Sequence, residues 1–409
     1  MGPSGRACLV LLANRILANN FVRINVVASG RFHVLDLARE LAELGHDVKF
    51  YSYVPRRRAE QFGLPAKCHR GLLSFVFPFV ALAHRGPKVW RGIADKWLLW
   101  GIDHLVALIM EPCEVFIGMS GLCVVSALAA RRRFGAKIFL ERGSRHILSQ
   151  KDILEAIPGT EHPAVSADDV RRELQGYELA DVIVIPSHHA EQSFLERGTP
   201  PGKLFRNPYG VDLTMFPPMD KPANGVPTVL MVGTWSLRKG CDVLWEACRT
   251  ANSWRLLHVG SVGDAPLPQS PLFTHRDPVP QRQLVEQFKQ ADVFVLASRE
   301  EGLSLVQAQA LACGLPLVCT DRTGGEDLRE MLADPAWMTV VLHEDAAALQ
   351  QAIERALALA SKQVGVRDIL GQARERLSWG AYAARYHDKL VAERETSDKS
   401  GIERVVLKR

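Results

Sequence analysis

Two α/β domains, each built on a doubly wound parallel sheet, are predicted by three features of this sequence. A strand–turn–helix–strand pattern begins near Arg23, short apolar runs typical of buried parallel strands recur along the chain, and one of these runs has an internal echo. Residues 180–187 read ADVIVIPS and residues 291–298 read ADVFVLAS, so in each a strand ends at a serine. Chance recurrence of common βα chemistry is the alternative interpretation. The length of 409 residues agrees with two domains of roughly 100–200 residues each.

The opening pattern is a βαβ unit. Residues 24–28 form an apolar run, and Ser29 and Gly30 interrupt it. Leucines then recur near helical spacing until Gly45, and residues 47–51 resume as a strand. Repetition of this unit implies a parallel sheet with helices on both faces.

The remaining predicted strands divide into two groups around a proline-rich stretch. The clearest are 137–140, 182–185, 229–232, 256–259, 293–296 and 317–319. Prolines 217, 218, 222 and 227 make 215–227 a linker. We therefore predict an extension over 1–21, a first domain over 22–214, a second over 228–378, a helix over 379–392 and a polar tail over 393–409. Ligands in such sheets bind beyond the carboxyl ends of the strands, so we expect the active site in a cleft between the domains.

Composition excludes several classes of protein. With 47% hydrophobic and 23% charged residues, the chain is neither disordered, collagenous nor a polytopic membrane protein. Its net charge of +5 is too small to indicate nucleic-acid binding, although it suits anionic small molecules or an anionic membrane. The 8 cysteines form no C-x2-C pair, which argues against a zinc ribbon or redox motif and favours a reduced, cytoplasmic protein. No apolar run reaches bilayer length, and Asn14-Arg15 interrupts the faint signal-peptide pattern in 1–21.

The first cluster of candidate functional residues is the turn from Gly233 to Gly240. It follows a predicted strand and carries Arg238 and Lys239 just before a helix. Cations are unfavourable at the positive end of a helix dipole unless an anion is present, and these two side chains suit a pyrophosphate. A solvated Arg-Lys pair is the structural alternative.

The second cluster runs from Ser298 to Pro316. Here a strand ends, Glu301 and Gly302 follow, and an alanine-rich helix begins. A carboxylate at the sheet edge accepts hydrogen bonds from sugar hydroxyls, and free N–H groups at a helix start suit phosphate oxygens. For Glu301 in isolation, the alternative is an acid stabilised by the helix dipole.

Together with Asn207-Pro208-Tyr209-Gly210-Val211-Asp212 and Phe216, these clusters resemble the motifs of the retaining nucleotide-sugar glycosyltransferases of family 4. The resemblance covers roughly residues 23–386. It implies the GT-B fold, in which two Rossmann-like domains face each other across a cleft and a carboxyl-terminal helix returns to the first domain.

The resemblance also implies roles for individual residues. Arg238 and Lys239 match the pair that binds the donor diphosphate, and Glu301 matches the first acid of a Glu-x7-Glu motif that contacts the transferred sugar. The second acid, which holds ribose hydroxyls, is replaced by Gln309, whose amide still offers a donor and an acceptor. Thr234 stands where the family often has Arg. The implied donor site comprises Gly233, Thr234, Ser236, Arg238, Lys239, Glu301, Gly302, Leu303, Ser304 and Gln309.

The amino-terminal half matches less closely. His146 is a candidate for the family histidine near the donor sugar, and a structural histidine is the alternative. Gly30, His33, Arg142 and Ser144 are candidates for the acceptor side. His33 has helix capping as its alternative.

Residues 69–110 combine apolar runs with Trp90, Trp97 and Trp100 and with cations at 70, 85, 88, 91 and 96. Tryptophan beside basic residues is typical of a membrane interface, so peripheral contact with the inner face of a membrane is one hypothesis. Half-buried helices of the first domain are the alternative.

The resemblance implies a retaining hexosyltransferase that needs no cofactor or metal, and the absence of an Asp-x-Asp sequence agrees with this. It would take a nucleoside diphosphate sugar and a cell-surface glycan, lipid-linked or small-molecule acceptor. The alternatives are a nucleotide-sugar epimerase of the same fold and a non-catalytic partner protein that binds the nucleotide sugar.

Overall fold

The computed structural model describes residues 21–85, 88–159, 165–220 and 225–406. Residues 1–20 of the predicted extension, Cys8 and linker residues 221–224 lie outside the described residues.

Strands and helices alternate along most of the chain. The strands are β1 (Arg23–Val27), β2 (Asp47–Ser52), β3 (His69–Gly71), β4 (Val115–Met119), β5 (Lys137–Glu141), β6 (Val182–Ile185), β7 (Leu204–Arg206), β8 (Met219–Asp220), β9 (Thr228–Val232), β10 (Arg255–Val259), β11 (Phe273–Arg276), β12 (Val293–Leu296), β13 (Leu317–Thr320), β14 (Met338–Val341) and β15 (Val366–Arg367). The helices are α1 (His33–Glu43), α2 (Arg56–Gln61), α3 (Leu73–Arg85), α4 (Lys88–Ile109), α5 (Val125–Phe134), α6 (Ile147–Glu155), α7 (Ala167–Leu179), α8 (His188–Glu196), α9 (Cys241–Ala251), α10 (Gln281–Lys289), α11 (Leu305–Ala312), α12 (Gly325–Met331), α13 (Ala346–Ser361) and α14 (Trp379–Val406).

The two predicted parallel sheets are confirmed. The first has seven strands in the order β3-β2-β1-β4-β5-β6-β7, and the second has six in the order β11-β10-β9-β12-β13-β14. Central strands such as β12 are buried at every residue, which explains their continuous apolar sequence. Within the predicted linker, β8 pairs antiparallel with β15.

The strand order of the second sheet contains a reversal of the direction of winding. From β9 the chain proceeds outward through β10 and β11, then returns to the other side of β9 as β12 and continues through β13 and β14. The direction of winding therefore reverses between β9 and β12, which pair in parallel. In open α/β sheets, the crevice at the carboxyl ends of the strands at such a reversal is the usual ligand site.

The chain divides into two compact units. The first comprises residues 1–141, 171–183 and 383–409, and the second comprises 142–170 and 184–382. The core of the first unit includes Phe116 and Ile102, and that of the second includes Trp235, Trp254 and Val295.

Helix α14 continues through Val406, past residue 392, where the sequence analysis ends the helix. The ion pair between Lys389 and Glu393, with 2.8 Å between nitrogen and oxygen, links the turns on either side of that point. Charged residues with good helix propensity therefore extend the helix into a segment that their polarity alone marks as a tail.

Two further findings concern the described residues. None of their helices has an apolar stretch sufficient to cross a bilayer. Their seven cysteines are all free and buried.

Candidate functional site

The turn between β9 and α9 lies at the reversal point of the second sheet. Gly233 and Gly240 both have positive φ, 141° and 64°. At Gly240 a Cβ atom would overlap the carbonyl oxygen of Ala297, which directly follows β12. The turn therefore packs closely on the end of β12, and this packing brings Arg238 and Lys239 to that edge of the sheet.

Arg299 holds this turn in place. Its guanidinium donates to both carboxylate oxygens of Asp242 at 2.7 Å and to the carbonyl oxygen of Leu237 at 2.6 Å. A further bond of 2.7 Å reaches Glu344, and the backbone N–H of Arg299 donates to the carbonyl of Arg238. The hydrogen bonds to Asp242 raise the pKa of Arg299, with burial opposing them. The sequence analysis missed Arg299 and Asp242, because their pairing joins segments that are distant in the chain.

Glu300 is the buried partner of Arg238. The nitrogen–oxygen distance is 2.6 Å, and the Glu300 side chain is fully buried whereas 41% of the Arg238 side chain is exposed. Ser144 and Gln150 also donate to the Glu300 carboxylate. Burial alone would raise the pKa of Glu300, but Arg238 and these two donors outweigh it and lower the pKa. Glu300 is thus a satisfied carboxylate that fixes Arg238, a role that sequence reasoning missed.

Glu301 forms an ion pair with Lys239. The Lys239 side chain is 19% exposed and that of Glu301 is 13% exposed, so both remain accessible to a ligand. The pKa of Lys239 is lowered to about 8, mainly by burial and secondly by Arg238, while Glu300 opposes the shift. Lys239 is therefore an ammonium ion at neutral pH. Two cations and two carboxylates face each other across the reversal point, an arrangement that can bind an anion and a hydroxyl group side by side.

His189 and Ser187 hold the backbone of the loop after β12 that carries Glu300 and Glu301, which we call the acidic loop. The His189 Nε2–H donates to the carbonyl of Glu301 at 2.6 Å, and the Ser187 hydroxyl donates to the carbonyl of Gly302 at 2.7 Å. Burial, followed by the charge of Arg145, lowers the pKa of His189 to about 3, so the ring is neutral at physiological pH. His189 was missed by sequence reasoning. The signal that points to its loop is the echo that places Ser187 and Ser298 at equivalent strand ends.

Gly302, Leu303 and Ser304 lead from the acidic loop into α11. A Cβ atom on Gly302 would overlap the carbonyl oxygen of Gly143, so this position requires glycine. Gln309 lies one turn into α11 and is 6% exposed. Its side-chain oxygen is buried and has no hydrogen-bond partner among the described residues. Such an unpaired acceptor is unfavourable unless a ligand supplies a donor.

Comparison with known proteins identifies this part of the chain. Residues 226–358 match the family described as glycosyl transferases group 1. The segment contains the turn from Gly233 to Gly240 and the acidic loop. Residues 226–358 form a glycosyl transferases group 1 domain.

Individual proteins with similar sequences or structures are consistent with this match. A subunit of phosphatidylinositol N-acetylglucosaminyltransferase from Arabidopsis thaliana is 27% identical over 251 residues, which cover 56% of this chain and 54% of that protein. The match thus spans about half the length of this curated relative. Sucrose-phosphate synthase from Thermosynechococcus elongatus superposes with a TM-score of 0.64 at 20% identity, over 92% of this chain and 99% of that chain. HepE of Anabaena in complex with UDP-glucose gives 0.59 at 13% identity, over 91% and 100%. These two likenesses show the GT-B fold.

Within the glycosyl transferases group 1 domain, Thr234 and Ser236 lie in the turn after β9. The Thr234 hydroxyl is 2.9 Å from that of Ser261, and the carbonyl of Ser236 accepts from the backbone N–H of Lys239. Thr234 supplies no charge at a position where the resemblance implies Arg. The cationic character of this turn therefore comes from Arg238 and Lys239.

Upstream of this domain but in the same compact unit lie His146, Arg142 and Ser144. The His146 ring accepts a hydrogen bond of 3.3 Å from the Leu148 backbone and so caps α6. Burial is the largest cause that lowers its pKa to about 4. Arg142 donates to Gln150 at 2.7 Å. The structure thus brings Ser144 and Arg142 to the Glu300 network, and His146 caps α6.

Gly30 and His33 lie in the other compact unit. They follow β1, which borders the reversal point of the first sheet between β1 and β4. His33 is buried at the start of α1, and its Nε2 is 2.8 Å from the carboxylate of Glu141 at the end of β5. These two candidates therefore belong to a different compact unit from Glu301.

Among the residues that the structure describes, no group of three or more His, Cys, Asp or Glu side chains is arranged to hold a metal ion.

The close packing at Gly240 gives a stability prediction. Gly240→Ala should lower the free energy of unfolding by about 2–4 kcal/mol, because it adds a positive-φ penalty to a backbone overlap at Ala297. Gly198 has φ of 82° and no neighbour within 4 Å of a built Cβ, so Gly198→Ala should cost only about 1 kcal/mol. Urea unfolding of the two variants measures the difference. Equal losses would contradict the packing of this turn on β12.

Proposed function

We propose that the protein is a retaining glycosyltransferase that moves a hexose-type sugar from a nucleoside diphosphate to an acceptor hydroxyl. One observation carries the proposal: at the reversal point of the second sheet, Arg238 pairs with Glu300 and Lys239 pairs with Glu301. The match of this segment to glycosyl transferases group 1 supports it. The UDP-glucose complex of the structurally similar HepE supports a nucleoside diphosphate sugar as donor.

Donor binding would exchange partners within the ion pairs. Lys239 is held by Glu301, and the diphosphate of the donor offers a stronger anion to the same ammonium. As the phosphate takes Lys239, the Glu301 carboxylate becomes available to accept hydrogen bonds from hydroxyls of the sugar. Arg238 stays anchored by buried Glu300 and would add charge-assisted hydrogen bonds through its exposed part.

Gln309 would bind the nucleoside. Its buried, unpartnered side-chain oxygen can accept a hydrogen bond from a ribose hydroxyl. Gln is neutral where the resembling family has an acid, so the bond would be weaker than a charge-assisted one but would keep the same direction.

The chemical step requires that the bond between the sugar and the diphosphate oxygen breaks while the acceptor oxygen bonds to the same carbon with retained configuration. The proton of the acceptor hydroxyl passes to the departing phosphate oxygen. Negative charge then accumulates on the departing diphosphate, and Lys239 and Arg238 would stabilise it from fixed positions. We propose that these two cations serve without a divalent metal, so turnover should persist in EDTA.

A ligand panel tests the donor site. Melting temperature should rise with one of UDP, GDP or ADP and with the matching nucleotide sugar, because a ligand that binds the folded state stabilises it by mass action. Analysis of the products formed from the nucleotide sugar without an acceptor distinguishes transfer from epimerisation. A non-catalytic partner protein would bind the nucleotide sugar without turning it over. A melting temperature that none of these ligands changes would contradict the donor site.

Two substitutions separate binding from chemistry. Glu301→Gln and Lys239→Ala should each lower turnover at least about tenfold, equivalent to about 1.4 kcal/mol, while the melting temperature hardly changes. The two should differ in binding of the sugar-free nucleoside diphosphate. Glu301→Gln removes the competitor for Lys239 and should preserve or tighten binding, whereas Lys239→Ala should weaken it.

The matched controls are Glu286→Gln and Lys289→Ala on α10, whose side chains are exposed. Both should leave turnover and nucleotide binding unchanged. Near-normal turnover of Glu301→Gln or of Lys239→Ala would refute the role of that residue.

We also propose that the protein contacts a membrane surface and binds its acceptor there. Large apolar side chains on α3 and α4 are exposed, and we call them the aromatic face: Phe75, Phe77, Phe79, Trp90, Ile93, Trp97 and Trp100. On α4 the members at 90, 93, 97 and 100 follow a heptad-like spacing that puts them on one side of the helix. Exposed Lys96 lies beside them, while the side chains at 85, 88 and 91 lie outside the described residues. Exposed tryptophan with basic residues suits the interface of an anionic bilayer. Such a location would place the protein in the cytoplasm at the inner face of the membrane.

Vesicle binding tests the aromatic face. The protein should cosediment with vesicles of phosphatidylglycerol and phosphatidylcholine, and Trp97→Ser with Trp100→Ser should lower the bound fraction at least about fivefold, because two interfacial tryptophans are removed. Leu342→Ser removes an apolar side chain that is 68% exposed in the other compact unit and should have no effect. Absence of wild-type cosedimentation, or concentration-dependent dimerisation through these tryptophans, would contradict membrane contact.

A further inference from the structure

Two arginines outside the predicted donor site lie near the acidic loop. Arg145 is in the loop between β5 and α6, and Arg322 is in the turn after β13. The carbonyl of Arg322 accepts the backbone N–H of Glu301 at 3.0 Å. Arg145 lies close to Arg142, whose guanidinium donates to the carbonyl of Arg145 at 2.9 Å. Both belong to the second compact unit.

Neither side chain has a partner within the described residues. No hydrogen bond or ion pair there involves the guanidinium of Arg145 or of Arg322, and the Nε atom of Arg145 is buried without an acceptor. This contrasts with Arg238, Arg299 and Arg142, whose side chains all bind acceptors.

The two arginines repel each other. Burial lowers the pKa of Arg145, and the charge of Arg322 is the next cause. The same two charges also act on His189, where Arg145 is the second cause of the lowered pKa, after burial. The guanidinium groups are therefore close enough to interact, although both remain partly accessible to solvent.

The acids in this neighbourhood are already engaged or too distant. Asp321 accepts from the backbone N–H of His343 and contacts its ring Nδ1, each at 2.9 Å. Glu300 accepts from Arg238, Ser144 and Gln150. Glu196 attracts Arg145, but no ion pair joins these two described residues. Among the described residues, the folded chain thus leaves two partly buried like charges together without an ion-pair partner for either, which favours the binding of an anion.

We propose that Arg145 and Arg322 form an anion subsite for a phosphate or carboxylate group of a substrate, separate from Arg238 and Lys239. Two guanidinium groups can bind such an anion through paired N–H donors. The anion belongs either to the acceptor or to the donor diphosphate. That choice rests on the proposed transferase function, whereas binding of the anion itself does not.

Calorimetric titration of the full chain with inorganic phosphate tests the subsite. Arg145→Gln and Arg322→Gln should each weaken phosphate binding at least tenfold, and Arg145→Lys should recover part of it by restoring the charge. Because a repulsion is removed, the melting temperature of the Gln variants should stay the same or rise. Arg282→Gln removes an exposed arginine of the same unit and should leave phosphate binding unchanged.

A second titration, with the nucleoside diphosphate saturating, identifies the source of the anion. Persistent phosphate binding assigns the subsite to an anionic acceptor. Competition, together with at least tenfold weaker nucleotide binding by Arg322→Gln, assigns it to the donor. If the protein binds no nucleoside diphosphate, phosphate is titrated into Lys239→Ala instead. Phosphate binding that this variant retains supports the subsite even though the transferase proposal has failed. The subsite would be overturned if Arg145→Gln and Arg322→Gln both retained phosphate binding, or if Arg282→Gln lost as much binding as they do. A lowered melting temperature of the first two variants with unchanged phosphate binding would also overturn it.

Discussion

The guanidinium of Arg299 organises the candidate donor site. A guanidinium carries five N–H donors in a rigid plane, and here they connect the turn after β9, the first turn of α9 and Glu344 beyond β14. Because Glu300 and Glu301 follow Arg299 directly, the contacts that fix the turn also fix the two carboxylates opposite Arg238 and Lys239. The cations and the acids are therefore positioned by one shared anchor rather than by their mutual attraction alone.

The two adjacent acids have different environments. Glu300 is fully buried and satisfied by Arg238, Ser144 and Gln150, whereas the Glu301 side chain is 13% exposed and forms an ion pair with Lys239. The chain bends through this segment, so one acid enters the interior while the next keeps partial exposure. A rigid structural acid thus lies beside one that can exchange its partner.

Sequence reasoning reached the parts of this site that local chemistry encodes. The parallel sheets follow from continuous apolar runs, and Gly233, Gly240 and Gly302 mark turns where backbone or ligand must approach closely. Glu300, Arg299 and His189 were not predicted as site residues, because their roles arise from pairings between distant segments. The continuation of α14 was missed for a related reason, since polarity predicts exposure but does not by itself predict a lack of structure.

The pairing of charges at this edge has a consequence for specificity under the proposed function. While Lys239 is paired with Glu301, neither group is fully available to a ligand. A sugar without a diphosphate offers no anion to displace Glu301, so it meets an acid that is already engaged. A nucleoside diphosphate sugar supplies the anion and the hydroxyls together, and each makes the other's contact possible. The ion pair would therefore couple recognition of the phosphate to recognition of the sugar, and favour the intact donor over either of its halves.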